Sequence, residues 1–399
     1  MKTTYPVVLL ALFLAFPACK SETKKEPSGQ VDASIPSLDK APPAVKPEMY
    51  LYYNTVKNLL LRDKPTQTGS KVITKFEMGD FLEGTGVISD NKEEATIRNI
   101  PMEEPFYEVI STTPEQYKGW AFGGALLRVY AGPRATAPDL GQLSQYTLLL
   151  RTLNIQKLES GKKAWDYIDM HFKNAKGTLA DAVYIISLQL LRNMQFEGNM
   201  YNFTEKIDWK NEDYEAVAAN RFDMNTYPIT QKLAENGFTL AVGEGSVFPV
   251  PDMRRLHDFF VAKVTPPMKE YILQELLEFE HQAYSDGGII IPLEQLADRA
   301  IFWEKFNQQH PYFLMMEQTK ESQKWTAHSI LRGDNNTPFY YSEDKKIIED
   351  FKKVWTYVIQ KYPETDLGKN VRELFAVCEA EGWKYTEKVE KVSLKYTDH

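Results

Sequence analysis

The 399 residues contain only two cysteines, Cys19 and Cys378, so a scaffold held by several disulfides is excluded. Blocks of five or six like charges are missing, and the net charge is −8, which argues against a nucleic-acid partner and against electrostatic binding to a membrane surface. There is no glycine-lysine phosphate loop, no Gly-x-Gly-x-x-Gly after a strand and no Gly-x-Ser-x-Gly elbow. Nucleotide chemistry and serine-elbow hydrolysis therefore have no visible basis. The six histidines, at 171, 257, 281, 310, 328 and 399, never fall two, three or four residues apart, the spacings that bring two imidazoles to one zinc. No cofactor and no metal is implied. A sustained period of about 34 residues is also missing, so the chain does not read as a repeat array.

What is present is an ordinary globular composition, 43% apolar and 26% charged, in a chain long enough for two folded units plus tails. At the start, Lys2 precedes the apolar run Val7 to Phe16, which closes in Pro17-Ala18-Cys19. The run is about half of the roughly 20 residues a helix needs to span a bilayer, and reads as a secretory segment over residues 1–18. A small residue directly before cysteine resembles the lipobox of bacterial lipoproteins. That resemblance implies an acylated Cys19 as the mature N-terminus, hence a lipid anchor in the cell envelope, on the periplasmic or surface side of a membrane. Lys20 lacks the aspartate that holds some lipoproteins at the inner membrane, so the outer membrane stays open. Acylation of Cys19 leaves Cys378 without a partner. Val371, Leu374, Phe375 and Cys378 share one helix face, which makes Cys378 a small core residue and not a nucleophile.

Residues 19–47 read as the lipidated cysteine and a tether. Pro27, Pro36, Pro42, Pro43 and Pro47 stand among Ser, Lys, Glu and Asp with few aliphatics. As a coil the tether would span roughly 30 Å on average, and roughly 95 Å at full extension. From Met49 the composition changes to short β-type runs: Met49–Tyr53, Leu59–Leu61, Val72–Phe76, Phe81–Val87, Phe106–Ile110 and Gly119–Phe122, with an Asp-, Asn- and Glu-rich insertion over 88–105. Five or six short strands in about 80 residues predict a small barrel.

The order of motifs resembles the bacterial SH3-like (SH3b) domain. Leu59-Leu60-Leu61-Arg62-Asp63-Lys64-Pro65 stands for the family's strand and turn. Val72-Ile73 and Gly79-Asp80 follow, and Gly119-Trp120-Ala121-Phe122-Gly123-Gly124-Ala125-Leu126 stands for its closing segment. The resemblance covers residues 48–130 and implies a ligand among cell-wall peptides or protein segments. Tyr52, Tyr53, Tyr107, Trp120 and Phe122 are the candidate contacts, because aromatic rings give contact area at low entropy cost. Alternate strand residues point inward, so several of the five belong to the core instead.

Residues 140–399 read as one mostly α-helical domain. Thr178 to about Gly198 predicts a central helix, apolar nearly all round. Further helices are expected over 225–236, after Asp252, after Thr265-Pro266-Pro267, from Pro292 to His310, and over 343–361 and 366–381, with strand-like Ile289–Ile291 between them. The fold class expected is thus β + α: a small SH3-like barrel followed by helices.

Three fragments invite chemistry. Glu159-Ser160, with Met194-Gln195 further on, is similar to the Glu-Ser and Met-Gln segments of lytic transglycosylases, in which a protonated glutamate assists the leaving oxygen; the same residues serve equally as a helix start. Gly243-Glu244-Gly245 followed by Pro249, Pro251 and Asp252 reads as a binding loop at Glu244 or as plain turn chemistry. Glu278 and His281 share a helix face, which reads as a solvated acidic surface. The expectation is a non-enzymatic, envelope-anchored binding lipoprotein, whose SH3-like part takes a wall peptide or protein segment while its helices bind a partner. A wall-cleaving enzyme using Glu159 and a brace within an envelope assembly are the alternatives.

Overall fold

The computed structural model describes residues 45–98, 100–243 and 245–395. The expected signal segment, Cys19 and the tether up to residue 44 lie outside the described residues, as does Glu244. Strands β1 (Met49–Asn54), β2 (Leu59–Arg62), β3 (Val72–Phe76), β4 (Phe81–Ile97), β5 (Ile100–Ser111), β6 (Lys118–Phe122) and β7 (Leu126–Gly132) form one antiparallel sheet in the order β3-β2-β6-β5-β4-β1-β7. β1 lies between β4 and β7, and its side chains alternate between two cores. Met49, Leu51 and Tyr53 enter a core shared with the helices, whereas Tyr50 and Tyr52 join Leu59, Leu61, Phe76, Leu82, Tyr107 and Val109 on the other face. Both faces being covered, every residue of β1 is buried, which explains a strand with no apolar-polar alternation. Gly84 of β4 makes this possible: a Cβ there would stand 2.4 Å from Cε2 of Tyr52.

The acidic insertion over 88–105 is itself strand. It is the outer arm of β4 and β5, paired from Lys92↔Pro105 to Ile97↔Ile100. Register shifts between Gly84 and Ile88 and again before Lys92 bend the arm. With most of its side chains exposed or half-exposed, nothing forces an apolar period on its sequence.

The rest of the chain runs α1 (Leu140–Thr152), α2 (Glu159–His171), α3 (Thr178–Phe196), α4 (Asn211–Ala218), α5 (Pro228–Glu235), the hairpin β8 (Phe238–Gly243) and β9 (Ser246–Pro251), α6 (Met253–Phe260) and α7 (Pro266–Glu280). It continues with β10 (Tyr284–Ser285), β11 (Gly288–Ile289), α8 (Leu293–Gln309), α9 (Met316–Arg332), β12 (Gly333–Asp334), β13 (Thr337–Pro338), α10 (Glu349–Lys361), α11 (Asp366–Ala380) and α12 (Glu387–Lys395). The expected central helix is α3, with Ala182, Val183, Tyr184, Ile185, Ile186 and Leu188 buried along it. Asp252 caps α6 by accepting from the N–H groups of Arg254 and Arg255.

Other expectations shift. The helix expected over 225–236 begins at Pro228, and the one over 343–361 begins at Glu349. The supposed loop around Gly243 is the tip of the β8–β9 hairpin, whose Pro249 and Pro251 sit in a two-stranded sheet where both strands are edges. α9 carries almost no apolar stripe, since Thr319, Thr326 and Ser329 occupy much of its inward face, and it ends at Gly333 with a φ of 75°.

The helices pack around two cores. One gathers α1, α2, α3, the β8–β9 hairpin, α6, α7 and the inner face of the sheet; the second gathers α10, α11, α12 and the end of α9. α8 serves both, placing Leu296, Ala297, Ala300 and Ile301 in the second core and Phe302, Trp303 and Phe306 in the first. Arg98, near the tip of the β4–β5 arm, adds an ion pair of 2.7 Å to Glu197 just beyond α3.

Candidate functional site

The five candidate aromatics do not form one surface. Tyr53 points into the shared core with its ring 6.0 Å from that of Phe81, Phe122 packs edge-on against Phe106, and both are buried. Trp120 is half-buried on β6, paired with Glu108 of β5 and Arg62 of β2. Tyr52 and Tyr107 alone are brought together, their ring centroids 5.4 Å apart, and both line a notch between the sheet and the helices.

The notch has a volume of about 50 Å³. Tyr52, Tyr107, Leu126, Leu127 and Arg128 form its sheet side; Leu314, Met316, Glu317 and Gln318, from the α8–α9 joint and the first turn of α9, form the other. β1, β5 and β7 thus supply one wall, and the other exists only because Phe313 and Met315 are anchored in the shared core. The Arg128 guanidinium lies 5.5 Å from the centroid of the Tyr50 ring, and its Nη1 makes a long 3.5 Å contact to the carbonyl of Phe313. Its Nε is buried with no hydrogen-bond partner. Burial raises the Tyr52 hydroxyl pKa while Arg128 opposes the shift; Tyr107 is raised by burial and then by the Glu317 carboxylate. Glu104, on the β5 arm, is held above its usual range by burial and then by Glu317. The site therefore joins one cation, two tyrosines and the Glu317 carboxylate with Leu126, Leu127 and Leu314, and Glu104 lies close enough to feel Glu317.

Sequence reasoning missed Arg128, Glu104 and Glu317. A single charge in Leu126-Leu127-Arg128-Val129 was the available signal for Arg128; nothing in the sequence places residue 317 opposite it.

Glu159 stands exposed in the first turn of α2, without the enclosure that a protonated general acid needs, while Ser160 is buried and donates to the carbonyl of Asn154. Glu278, expected on a solvated face, instead accepts from Trp303 Nε1 at 2.8 Å and Gln274 Nε2 at 2.6 Å. One turn earlier, Glu275 faces Tyr184 and Arg192 of α3 and Tyr271 of its own helix. Its pKa is pushed up to about 7, by burial first and by Glu278 second, with Arg192 opposing. Asp181 is pushed up to about 6 by burial, against the N–H and hydroxyl of Thr265 that it accepts at 2.9 and 2.6 Å.

A larger, open depression of about 510 Å³ lies at the start of α6, beside Asp252, Arg254, Arg255, Asp258 and Phe259. Its arginines are already engaged: Arg254 pairs with Glu280 at 2.8 Å, and Arg255 donates to the carbonyls of Ala234 and Glu235 while lying 4.3 Å from the centroid of the Trp165 ring. Cys378 is buried in the second core, its thiol pushed up to about 12 by burial. Among the described residues no group of three or more His, Cys, Asp or Glu could hold a metal, and no helix is long and apolar enough to cross a membrane.

No family model, no curated protein and no solved structure matches the chain. The functional reading rests on its residues and their geometry.

Proposed function

We propose that this protein is an envelope-anchored binding lipoprotein, held to a membrane through acylated Cys19 and a proline-rich tether, with no catalytic role. In this reading the sheet coils into a small SH3-like barrel around the core of Tyr50, Tyr52, Leu61 and Val109. The single Arg62↔Trp120 pair between β2 and β6 is the corner. The barrel recognises a cell-wall peptide or a protein segment at the notch of Tyr52, Tyr107 and Arg128, and the helices complete that site and offer their outer surface to a partner. The observation that carries the reading is that Tyr52 and Tyr107 meet in a notch that Arg128, whose buried Nε has no partner, also lines.

The test uses the whole secreted chain from residue 20, because Met49, Leu51 and Tyr53 belong to a core the helices complete. Retention on purified peptidoglycan, reduced by Tyr107→Ala, is expected; a chain that passes through unretained removes the wall-binding reading. Labelling with a fatty-acid analogue should mark the wild type in cells and spare Cys19→Ala, and equal labelling of the two would remove the anchor.

The same shared core favours a second reading, in which the sheet is a brace for the helices within a larger envelope assembly. Crosslinking in cells then finds partners on the helical surface and none on β4, β5 or β6.

A further inference from the structure

The notch combines features that recognise anions, yet its rim is acidic. Met316, Glu317 and Gln318 are the first residues of α9, a helix of 17 residues that no side chain caps. The first N–H groups of such a helix carry partial positive charge and favour an anionic group. Two independent groups point the same way. Arg128 presents a planar set of N–H donors: its Nε is buried without a partner, its Nη1 makes the 3.5 Å contact to the Phe313 carbonyl, and the guanidinium also meets the Tyr52 hydroxyl. Tyr107, 8% exposed, lines the notch, and its hydroxyl makes no side-chain hydrogen bond to a described residue. Leaving such donors unmatched is costly in a half-dry site, so an acceptor bound there returns a large share of its own desolvation cost.

Size and charge narrow the ligand. A notch of about 50 Å³ suits a small group such as a carboxylate with a methyl group beside it. Glu317 is exposed and Glu104 half-exposed. They are close enough for Glu317 to act on the titration of Glu104 and of Tyr107, and they would repel a free dianion such as phosphate.

We propose that the notch is a carboxylate site: Arg128, the first turn of α9 and the Tyr107 hydroxyl hold the terminal carboxylate of a peptide, and Glu317 with Glu104 select peptides that carry an ammonium group beside it. The inference rests on the binding reading above and gives that site its ligand chemistry, the end of a short peptide with a small last residue and a cationic neighbour.

Calorimetric titration of the whole secreted chain tests it, with the dipeptide Lys-Ala as probe. Saturable binding of the free acid is expected, with the C-terminal amide weaker by at least about tenfold, the loss that accompanies one charge-assisted hydrogen bond. Arg128→Met, which removes the guanidinium and keeps an unbranched apolar side chain, should lose about as much, and Glu317→Gln should weaken Lys-Ala while strengthening acetyl-alanine, which has no ammonium group. Equal binding of acid and amide, or no saturable binding of Lys-Ala at millimolar concentration, overturns the carboxylate site. Inorganic phosphate binding as tightly as Lys-Ala overturns the selection by Glu317 and Glu104. If Arg128→Met fails to fold, the acid-amide comparison and Glu317→Gln decide alone. Wall retention separates the two levels: a folded Arg128→Met retained on peptidoglycan like the wild type sinks this inference and leaves the binding reading standing. Lys-Ala binding without wall retention does the reverse.

Discussion

Glu275 should make the folded state less stable as pH rises through neutrality, and Glu275→Gln should remove that penalty. The carboxyl faces Tyr184, Tyr271, Arg192 and Glu278, and its pKa stands at about 7 against an ordinary 4.5. Below pH 4.5 it is protonated in both the folded and the unfolded chain, and contributes nothing to the pH dependence. Between pH 4.5 and 7 the unfolded chain ionises while the folded chain keeps its proton, so stability falls; above 7 both are ionised and the penalty is constant. Each tenfold change in proton affinity is worth about 1.4 kcal/mol, so the total reaches at most about 3 kcal/mol, less whatever screening Glu275 keeps through its partial contact with water. Glutamine has nearly the same shape and no charge. Urea unfolding of wild type and Glu275→Gln at pH 4.5, 6 and 8 should give similar stabilities at the first and a variant ahead by about 1–3 kcal/mol at the last. Asp181, pushed up to about 6, adds its own slope in the same direction to both proteins, so the difference between them isolates Glu275. Parallel stability curves for the two would show that Glu275 does not carry its proton into the neutral range, and the account of the α3–α7 seam would be wrong.

Three further outcomes follow from the packing. Leu51→Ala, at a fully buried position in the core shared by sheet and helices, should cost about 2–5 kcal/mol and lower the melting of both parts together; a helical transition left in place by far-ultraviolet dichroism would mean the two parts fold independently. Gly84→Ala should cost about 1–3 kcal/mol, because its methyl would meet the Tyr52 ring, and should disturb tyrosine fluorescence; unchanged stability would mean the ring moves freely. Cys378 should react with a thiol reagent at pH 8 only on the timescale of unfolding, and immediate labelling of the native protein would contradict its burial.

Much of the fold was legible along the chain. The onset of β-type residues near Met49, the apolar run that becomes α3, the cap at Asp252 and the core position of Cys378 all depend on neighbours within a few residues, which local periodicity reports. The β4–β5 arm and α9 were harder to read because their inward faces are polar or half-exposed, so no hydrophobic period marks them.

The sequence by itself determined that the chain holds a β part and then a helical part, and which residues could form each element. Tertiary structure decided what those residues face. In β1 the alternation sends Tyr53 into the shared core and Tyr52 to the notch, a difference of one residue that composition cannot express. The α8–α9 joint brings Glu317 to Arg128 across nearly two hundred residues of chain. Glu278, which reads as a surface acid, is enclosed because Trp303 and Gln274 arrive from α8 and from its own helix. Charge, burial and orphaned donors exist only where separate elements meet, and so the candidate site belongs to the fold while its parts belong to the sequence.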